Sequence, residues 1–328
     1  MSSEKKIWDQ IKVLLKERGG DSLRRAREVI LEEPIEYKPL AEALRYFVEE
    51  FWFDALHPTL ISLSCETVGG SHEQTIDVGA AIVLLAGAAD IHDDIIDQSE
   101  IKEPKMTVFG KFGADLAILT GDALLLKGLY LLQESCENLD KERKQEIFDA
   151  IKHTFFQMSA GVARETELRG KKDLAGVDFI EIIKQKVSTA ESTMKIGAIL
   201  GMGSKNEIEI LGNFGLTYGV LLSLRDEFID IYEIDELKNR IMNESLPFPV
   251  LLALQDERIR KRLCDLIEND LTEEKIEEIL ELVIESKNCS DLVLQMKVMI
   301  NREIDALSKL ERNRKVFKML LESTVEDL

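Results

Sequence analysis

Apolar residues recur along nearly the whole chain with the three-to-four-residue spacing of a helix, and alternating strand patterns are nearly absent. The pattern predicts helices over 4–17, 21–31, 39–67, 74–98, 108–136, 140–170, 176–203, 206–232, 246–254, 256–268, 272–286 and 289–325, the last of them broken. Most of the prolines, Pro34, Pro39, Pro58, Pro104, Pro247 and Pro249, fall where these helices start or stop. Two stretches, 78–91 and 208–224, are apolar around much of their circumference, which suits the middle of a bundle. The segment NDLTEEKIEEILELVIES reads instead as an amphipathic outer helix with a solvated acidic face. No linker rich in Gly, Ser or Pro divides the chain, and no fixed-period repeat occurs. One all-α domain over residues 1–328 is therefore predicted.

Composition narrows the partners. The 328 residues are 45% hydrophobic, ample for a large core. Acidic residues outnumber basic ones 62 to 42, for a formal net charge of −20, which disfavours nucleic acid and anionic membranes. An anionic ligand stays open, because a bound divalent metal inverts the local charge. Cys65, Cys136, Cys264 and Cys289 have no metal-ligand spacing and read as idle thiols in a reducing compartment. The N-terminal stretch MSSEKKIWDQIKVLLKERGG lacks the apolar core of a signal peptide, and Val78–Ile91 is too short for a span. A cytoplasmic protein with no integral membrane span is the expectation.

Candidate chemistry lies in two acidic motifs. In Ile91-His92-Asp93-Asp94-Ile95-Ile96-Asp97, the residues Asp93 and Asp97 are four apart and share a helix face, with Asp90 along nearly the same line. Leu224-Arg225-Asp226-Glu227-Phe228-Ile229-Asp230 repeats the spacing after a second apolar helix. Burying such acids unpaired is costly, so something cationic should meet them. Two carboxylate rows facing across a bundle suit Mg²⁺, which takes oxygen ligands and keeps waters and phosphates in its shell. A solvated acidic helix end explains one such motif as readily as it explains a site, but explains two poorly. A carboxylate-bridged di-iron site would need Glu-x-x-His pairs, and His57, His72, His92 and His153 supply none.

HDDIID at 92–97 and RDEFID at 225–230 resemble the two aspartate-rich motifs of the trans-isoprenyl diphosphate synthases, the polyprenyl synthetase family, with Glu227 where Asp is usual. TVFGKFGADLAILTGDALL at 107–125, IIKQKVSTA at 182–190 and SLPFPVLLAL at 245–254 resemble family segments in the same order, over roughly 38–255. The resemblance implies an isoprenoid-synthase-like helical bundle around a deep central cavity, usually dimeric. It implies Mg²⁺ held by Asp93, Asp94, Asp97, Asp226, Glu227 and Asp230, with Asp93, Asp94, Lys186 and Asp226 catalytic. Lys102, Lys186 and Ser223 would bind an allylic prenyl diphosphate, and Ala88 and Ala89 would open a deep pocket for its tail. Ordinary close helix packing is the competing account of those two alanines.

The sequence departs from the family in one direction. Where cations for a second substrate, isopentenyl diphosphate, are usual, the chain has Phe53-Asp54-Ala55-Leu56-His57-Pro58, with Asp54 for Lys and Ala55 for Arg. Ala86 replaces a usual His, and Lys102-Glu103 replaces two arginines. On the allylic side Ser223 replaces Gln, Val187 replaces Thr and Asn243 replaces Lys. Acids in place of phosphate-binding cations add repulsion and remove charge-assisted hydrogen bonds, so a second diphosphate should bind poorly. Lys38, Arg45 and Lys105 could supply cations from elsewhere. The reading is a prenyltransferase that ionises an allylic diphosphate with a nucleophile other than isopentenyl diphosphate. The alternatives are an ordinary chain-elongating synthase, a terpene-synthase-like lyase, and a non-catalytic regulatory subunit. A homodimer is expected, and a heteromer with a homologous synthase is open.

Overall fold

Helical spacing is realised as sixteen α-helices among the described residues, and the all-α class is borne out. The structure is a computed structural model that describes residues 3–52, 54–102, 104–174, 177–268, 271–326 and 328. The helices are α1 (Ser3–Leu31), α2 (Lys38–Tyr46), α3 (Leu56–Thr67), α4 (Ile76–Ile96), α5 (Val108–Phe112), α6 (Ala114–Ser135), α7 (Lys141–Thr166) and α8 (Phe179–Lys186). They continue as α9 (Ser188–Leu200), α10 (Lys205–Ile229), α11 (Ile234–Asn243), α12 (Phe248–Ala253), α13 (Arg260–Ile267), α14 (Glu273–Glu285), α15 (Lys287–Leu307) and α16 (Arg314–Ser323). Contacts divide the chain into two compact units interleaved in sequence: 1–152 with 189–215 and 310–313, and 153–188 with 216–309 and 314–328.

In the first unit α4 is the central element. Its residues from Val78 to Ile91 are buried on nearly every side, as all-round apolarity requires, and α1, α3 and α6 pack on it. By length and composition, 72–96 is long and apolar enough to cross a membrane, beyond the short run read from sequence, but 67% of its 18-residue apolar window is buried inside the protein. The predicted break near Gly19 and Gly20 does not occur. Ile11, Ser22, Ala26, Val29 and Ile30 are all buried along α1, and that packing outweighs the low helix propensity of two glycines. The stretch expected as one helix over 39–67 is three pieces: α2, a π-helical turn over Phe47–Phe51, and α3. The stretch over 108–136 breaks at Gly113, whose φ of 80° is strained for any residue with a Cβ. A two-stranded hairpin, β1 (Ile101–Lys102) with β2 (Lys105–Met106), was not anticipated.

In the second unit Phe179 and Phe248 stack with ring centroids 4.3 Å apart. Leu221, Leu224, Leu237, Leu251 and Phe317 are buried. The acidic helix α14 buries Ile276, Ile279 and Val283 on one face and turns its glutamates outward, as its amphipathic pattern predicts. α11 lies where a connection was expected. The stretch expected as one helix over 176–203 is interrupted at Val187. Cys65, Cys136 and Cys289 are buried free thiols, each pushed to about 11 by burial, which leaves them inert.

Candidate functional site

The first acidic motif closes α4. Asp90, Asp93 and Asp94 lie on its last turns, and Asp97 caps it, with its N–H donating to Asp93 O at 2.8 Å. Gln98 then adopts φ 55°, the left-handed turn that ends many helices, and its amide donates to Ile95 O at 2.6 Å. Thr107 Oγ1 donates to Ser99 O at 2.8 Å and fixes the returning chain. The hairpin thereby carries Lys102 back over the acids, its ammonium 2.8 Å from both Asp90 Oδ1 and Asp94 Oδ1. The Asp94 contact is an ion pair only, because neither Asp94 oxygen has a donor in hydrogen-bond geometry. Asp94 is 1% exposed, and burial pushes its carboxyl to about 7 despite Lys102. Burial raises Asp90 as well. Asp93 is half-buried, and its carboxylate has no hydrogen bond or ion pair among the described residues. His92 packs on α6 at Gly121, where a Cβ would sit 2.5 Å from its ring.

Beside Asp90 lies a pocket of about 320 Å³ lined by Phe51, Trp52, Asp90, Lys102, Pro104 and Lys105. The π-helical turn delivers its aromatic wall: Trp52 stacks on Phe47 with centroids 5.5 Å apart. Two buried polar atoms of this lining, Trp52 Nε1 and Asp90 Oδ2, have no hydrogen-bond partner. Both lysines are engaged, Lys102 as above and Lys105 by the Glu50 carbonyl.

Asp54 requires a correction. The sequence reading made it an anion repelling a second diphosphate. The structure instead commits it inward. Its Oδ1 accepts from the Leu56 and His57 N–H groups at 3.1 and 3.2 Å, and its Oδ2 meets His57 Nδ1 at 2.5 Å. Burial opposes both charges, but each partner outweighs it, holding Asp54 below and His57 above their ordinary values. The segment therefore supplies neither a free cation nor a free anion. Glu103 and Phe53 lie outside the described residues. Ala88 is corrected too: at 1% exposure it belongs to the packing of α4, which leaves the half-buried Ala89 as the one of the pair able to meet a tail.

The second motif closes on itself. Asp226 is 58% exposed, with Arg225 Nη1 3.6 Å away. Its surroundings push its carboxyl to about 6, a push tempered by that exposure. Glu227 is buried, and its Oε2 accepts from Arg240 Nη2 at 3.0 Å and from Phe248 N–H at 2.7 Å. Asp230 accepts from Arg240 Nη1 at 2.7 Å, yet burial pushes it to about 7. Lys186, at the end of α8, is held by Glu165. Ser223 is half-buried on α10, one turn before Asp226. Sequence reasoning missed Arg240 and Glu165. The only signal for Arg240 was its place on the apolar spacing Ile234, Leu237, Ile241.

Among the described residues no three His, Cys, Asp or Glu side chains gather closely enough to hold a metal by themselves. The residues of the first motif nonetheless fit Mg²⁺, which needs few protein oxygens when phosphates complete its shell. Among the described residues the Asp93 carboxylate is unpaired and both Asp94 oxygens lack hydrogen-bond donors. In the second motif only Asp226 fits. Glu227 and Asp230 are already bonded to a guanidinium, so the expectation that they ligate metal is revised.

Residues 42–283 match the family model described as Polyprenyl synthetase. The chain is 29% identical over 177 residues to a geranylgeranyl diphosphate synthase of Sulfolobus acidocaldarius, covering 54% of each. It is 30% identical over 182 residues to a short chain isoprenyl diphosphate synthase of Methanothermobacter thermautotrophicus, covering 55% of each. The match thus spans about half the length of these relatives. Among solved structures, the geranylgeranyl pyrophosphate synthetase from Pyrococcus horikoshii superposes with a TM-score of 0.84 at 23% identity, covering 98% of this chain and 99% of that one.

Proposed function

The chain belongs to the polyprenyl synthetase family, and from that premise we propose that it is a Mg²⁺-dependent prenyltransferase whose acceptor is not isopentenyl diphosphate. The observation that carries the acceptor reading is the closure of Asp54 on His57. The resemblance puts second-diphosphate cations in that segment, and its polar side chains are spent on each other. The neighbouring pocket points the same way. It offers aromatic faces and a carboxylate; its Lys105 is held by the Glu50 carbonyl, and its Lys102 is the cation implied for the allylic diphosphate.

In the reaction, the allylic C–O bond breaks with its electron pair left on the diphosphate oxygen, giving an allylic cation. The acceptor's electron pair then forms the new bond at that carbon, and the acceptor's proton leaves to solvent. Asp93, Asp94 and Asp97 would hold Mg²⁺ at the first motif and Asp226 at the second; when bound it supplies neutralising charge to the leaving diphosphate. Lys102 and Lys186 are the cations that the resemblance implies for a diphosphate, and each would exchange its carboxylate partners, Asp90 and Asp94 or Glu165, for phosphate oxygens. Ser223 and Ala89 keep the substrate-binding roles that the resemblance implies.

A second reading, ordinary chain elongation, is favoured by the relatives, which are geranylgeranyl and short-chain diphosphate synthases. Incubation with Mg²⁺ and C15 or C20 allylic diphosphates separates the two. Diphosphate release at the same rate with and without isopentenyl diphosphate is the expected result, with water as the default nucleophile. Longer prenyl diphosphates formed only when isopentenyl diphosphate is present would overturn the acceptor reading. No release in any mixture would overturn the enzyme reading as a whole.

We also place a second copy of the chain on α6. Leu119, Leu126 and Tyr130 share a face of that helix and are 53%, 72% and 56% exposed, an apolar stripe that a lone chain leaves in water. Light scattering should give the mass of two 37.2 kDa chains, and a monomeric mass would refute this.

A further inference from the structure

We propose that Arg240 is a built-in counter-cation of the second acidic motif, holding Glu227 and Asp230 where a divalent metal would otherwise hold them. Of the acids of the second motif, Asp226 is then the one left to a metal. This deepens the metal assignment above and concerns an ion count that is measured without turnover.

The geometry leaves little room for another occupant. Arg240 is 7% exposed and uses three nitrogens: Nη2 to Glu227, Nη1 to Asp230, and Nε to Ser245 O at 2.8 Å. Glu244 Oε2 lies 3.4 Å from Nε as well, and its Oε1 accepts from Asn239 at 2.5 Å. Glu227 is further bound by the Phe248 N–H, so the start of α12 depends on the same carboxylate. A guanidinium keeps its charge at any pH a protein survives and matches carboxylates with a rigid fork. Mg²⁺ dehydrates reluctantly and demands octahedral oxygens. To enter here it would have to break bonds that Arg240 already makes to both carboxylates. The first motif is built the opposite way. Lys102 pairs with Asp90 and Asp94 but leaves the Asp93 carboxylate without a partner among the described residues. Each motif thus carries its own cation. One spares the acid that leads the four-residue pair, and the other takes the acid that ends it.

The test is Mn²⁺ binding to the full chain with inorganic pyrophosphate, followed by electron paramagnetic resonance. Asp230→Asn should change Mn²⁺ affinity less than about threefold, while Asp93→Asn weakens it about tenfold or more. Arg240→Gln should gain one bound Mn²⁺ and show a larger Mn²⁺-dependent rise in melting temperature than the unmodified chain. Arg240→Lys, which keeps the charge, should keep the original ion count. Should Arg240→Gln fail to fold, the Asp230→Asn comparison still decides. Asp230→Asn weakening Mn²⁺ as much as Asp93→Asn would overturn the inference, as would an unchanged ion count in folded Arg240→Gln. The Asp93→Asn arm reports on the metal assignment itself, so its failure is distinguishable from failure of the Arg240 inference.

Discussion

Asp93→Ala should cut turnover of an allylic diphosphate by about 10³-fold or more while leaving the fold as stable as before, or slightly more so. The activity term follows from charge. Loss of a metal ligand forfeits several kcal/mol of stabilisation at the departing diphosphate, and each ~1.4 kcal/mol is a factor of ten. The stability term follows from what surrounds the residue. The Asp93 carboxylate has no ion pair or hydrogen bond among the described residues to lose, and it sits between Asp90 and Asp97 on one line of α4. Like charges at that spacing repel by a few tenths of a kcal/mol each, about 0.2–0.5, so alanine relieves repulsion and adds helix propensity. A carboxylate that costs stability and contributes only when ligand is present marks a functional residue. Steady-state kinetics with C15 diphosphate and a thermal melt without metal give the two readouts. Turnover within a few-fold of the unmodified chain would sink the metal assignment. A large drop in melting temperature would mean that Asp93 is structural.

The sequence reveals the carriers of this chemistry better than their counter-cations. Both motifs stand at the ends of helices whose apolar residues run around the cylinder, and such helices are buried whatever their neighbours do. Hence α4, α10 and their terminal acids were legible. The partners were not, because they come from local geometry that no periodicity records. Lys102 reaches Asp90 and Asp94 only because Gln98 turns left-handed and a four-residue hairpin doubles back. Arg240 is buried in a helix that reads as a charged connection, since four of the ten residues of IDELKNRIMN are charged. Asp54 was misjudged for the same reason. Its identity suggested repulsion, but its position just before α3 lets it cap two N–H groups and clamp His57. Substitution patterns told which cations are missing; only coordinates told where the replacing groups point.

Lys102→Met tests that geometry with the second large effect: a loss of stability that widens with pH, together with a fall in activity. Lys102 is the cation between Asp90 and Asp94, and Asp94 is 1% exposed. Breaking a buried pair by removing one partner costs about 3–5 kcal/mol, but Lys102 is 44% exposed, so a loss of about 1–3 kcal/mol is expected at pH 8. The sign of the pH dependence follows from Asp94. Its carboxyl is raised to about 7 in the folded chain, so from the ordinary carboxylate range up to that pH the folded state binds more protons than the unfolded one, and stability falls as pH rises. Without Lys102 the carboxyl of Asp94 rises further. At pH 5.5 Asp94 is largely protonated with or without the lysine, and its share of the loss is small. At pH 8 the unmodified chain has ionised Asp94 against Lys102, which the variant cannot do. The gap in melting temperature should therefore grow from pH 5.5 to pH 8, and Mg²⁺ should narrow it by taking the place of the ammonium. Lys102→Arg should restore most of the stability, because a guanidinium can bridge both acids. A gap that stays constant across this range would show that Lys102 contributes its aliphatic stem rather than its charge, and the first motif would then have to be neutralised by some other group.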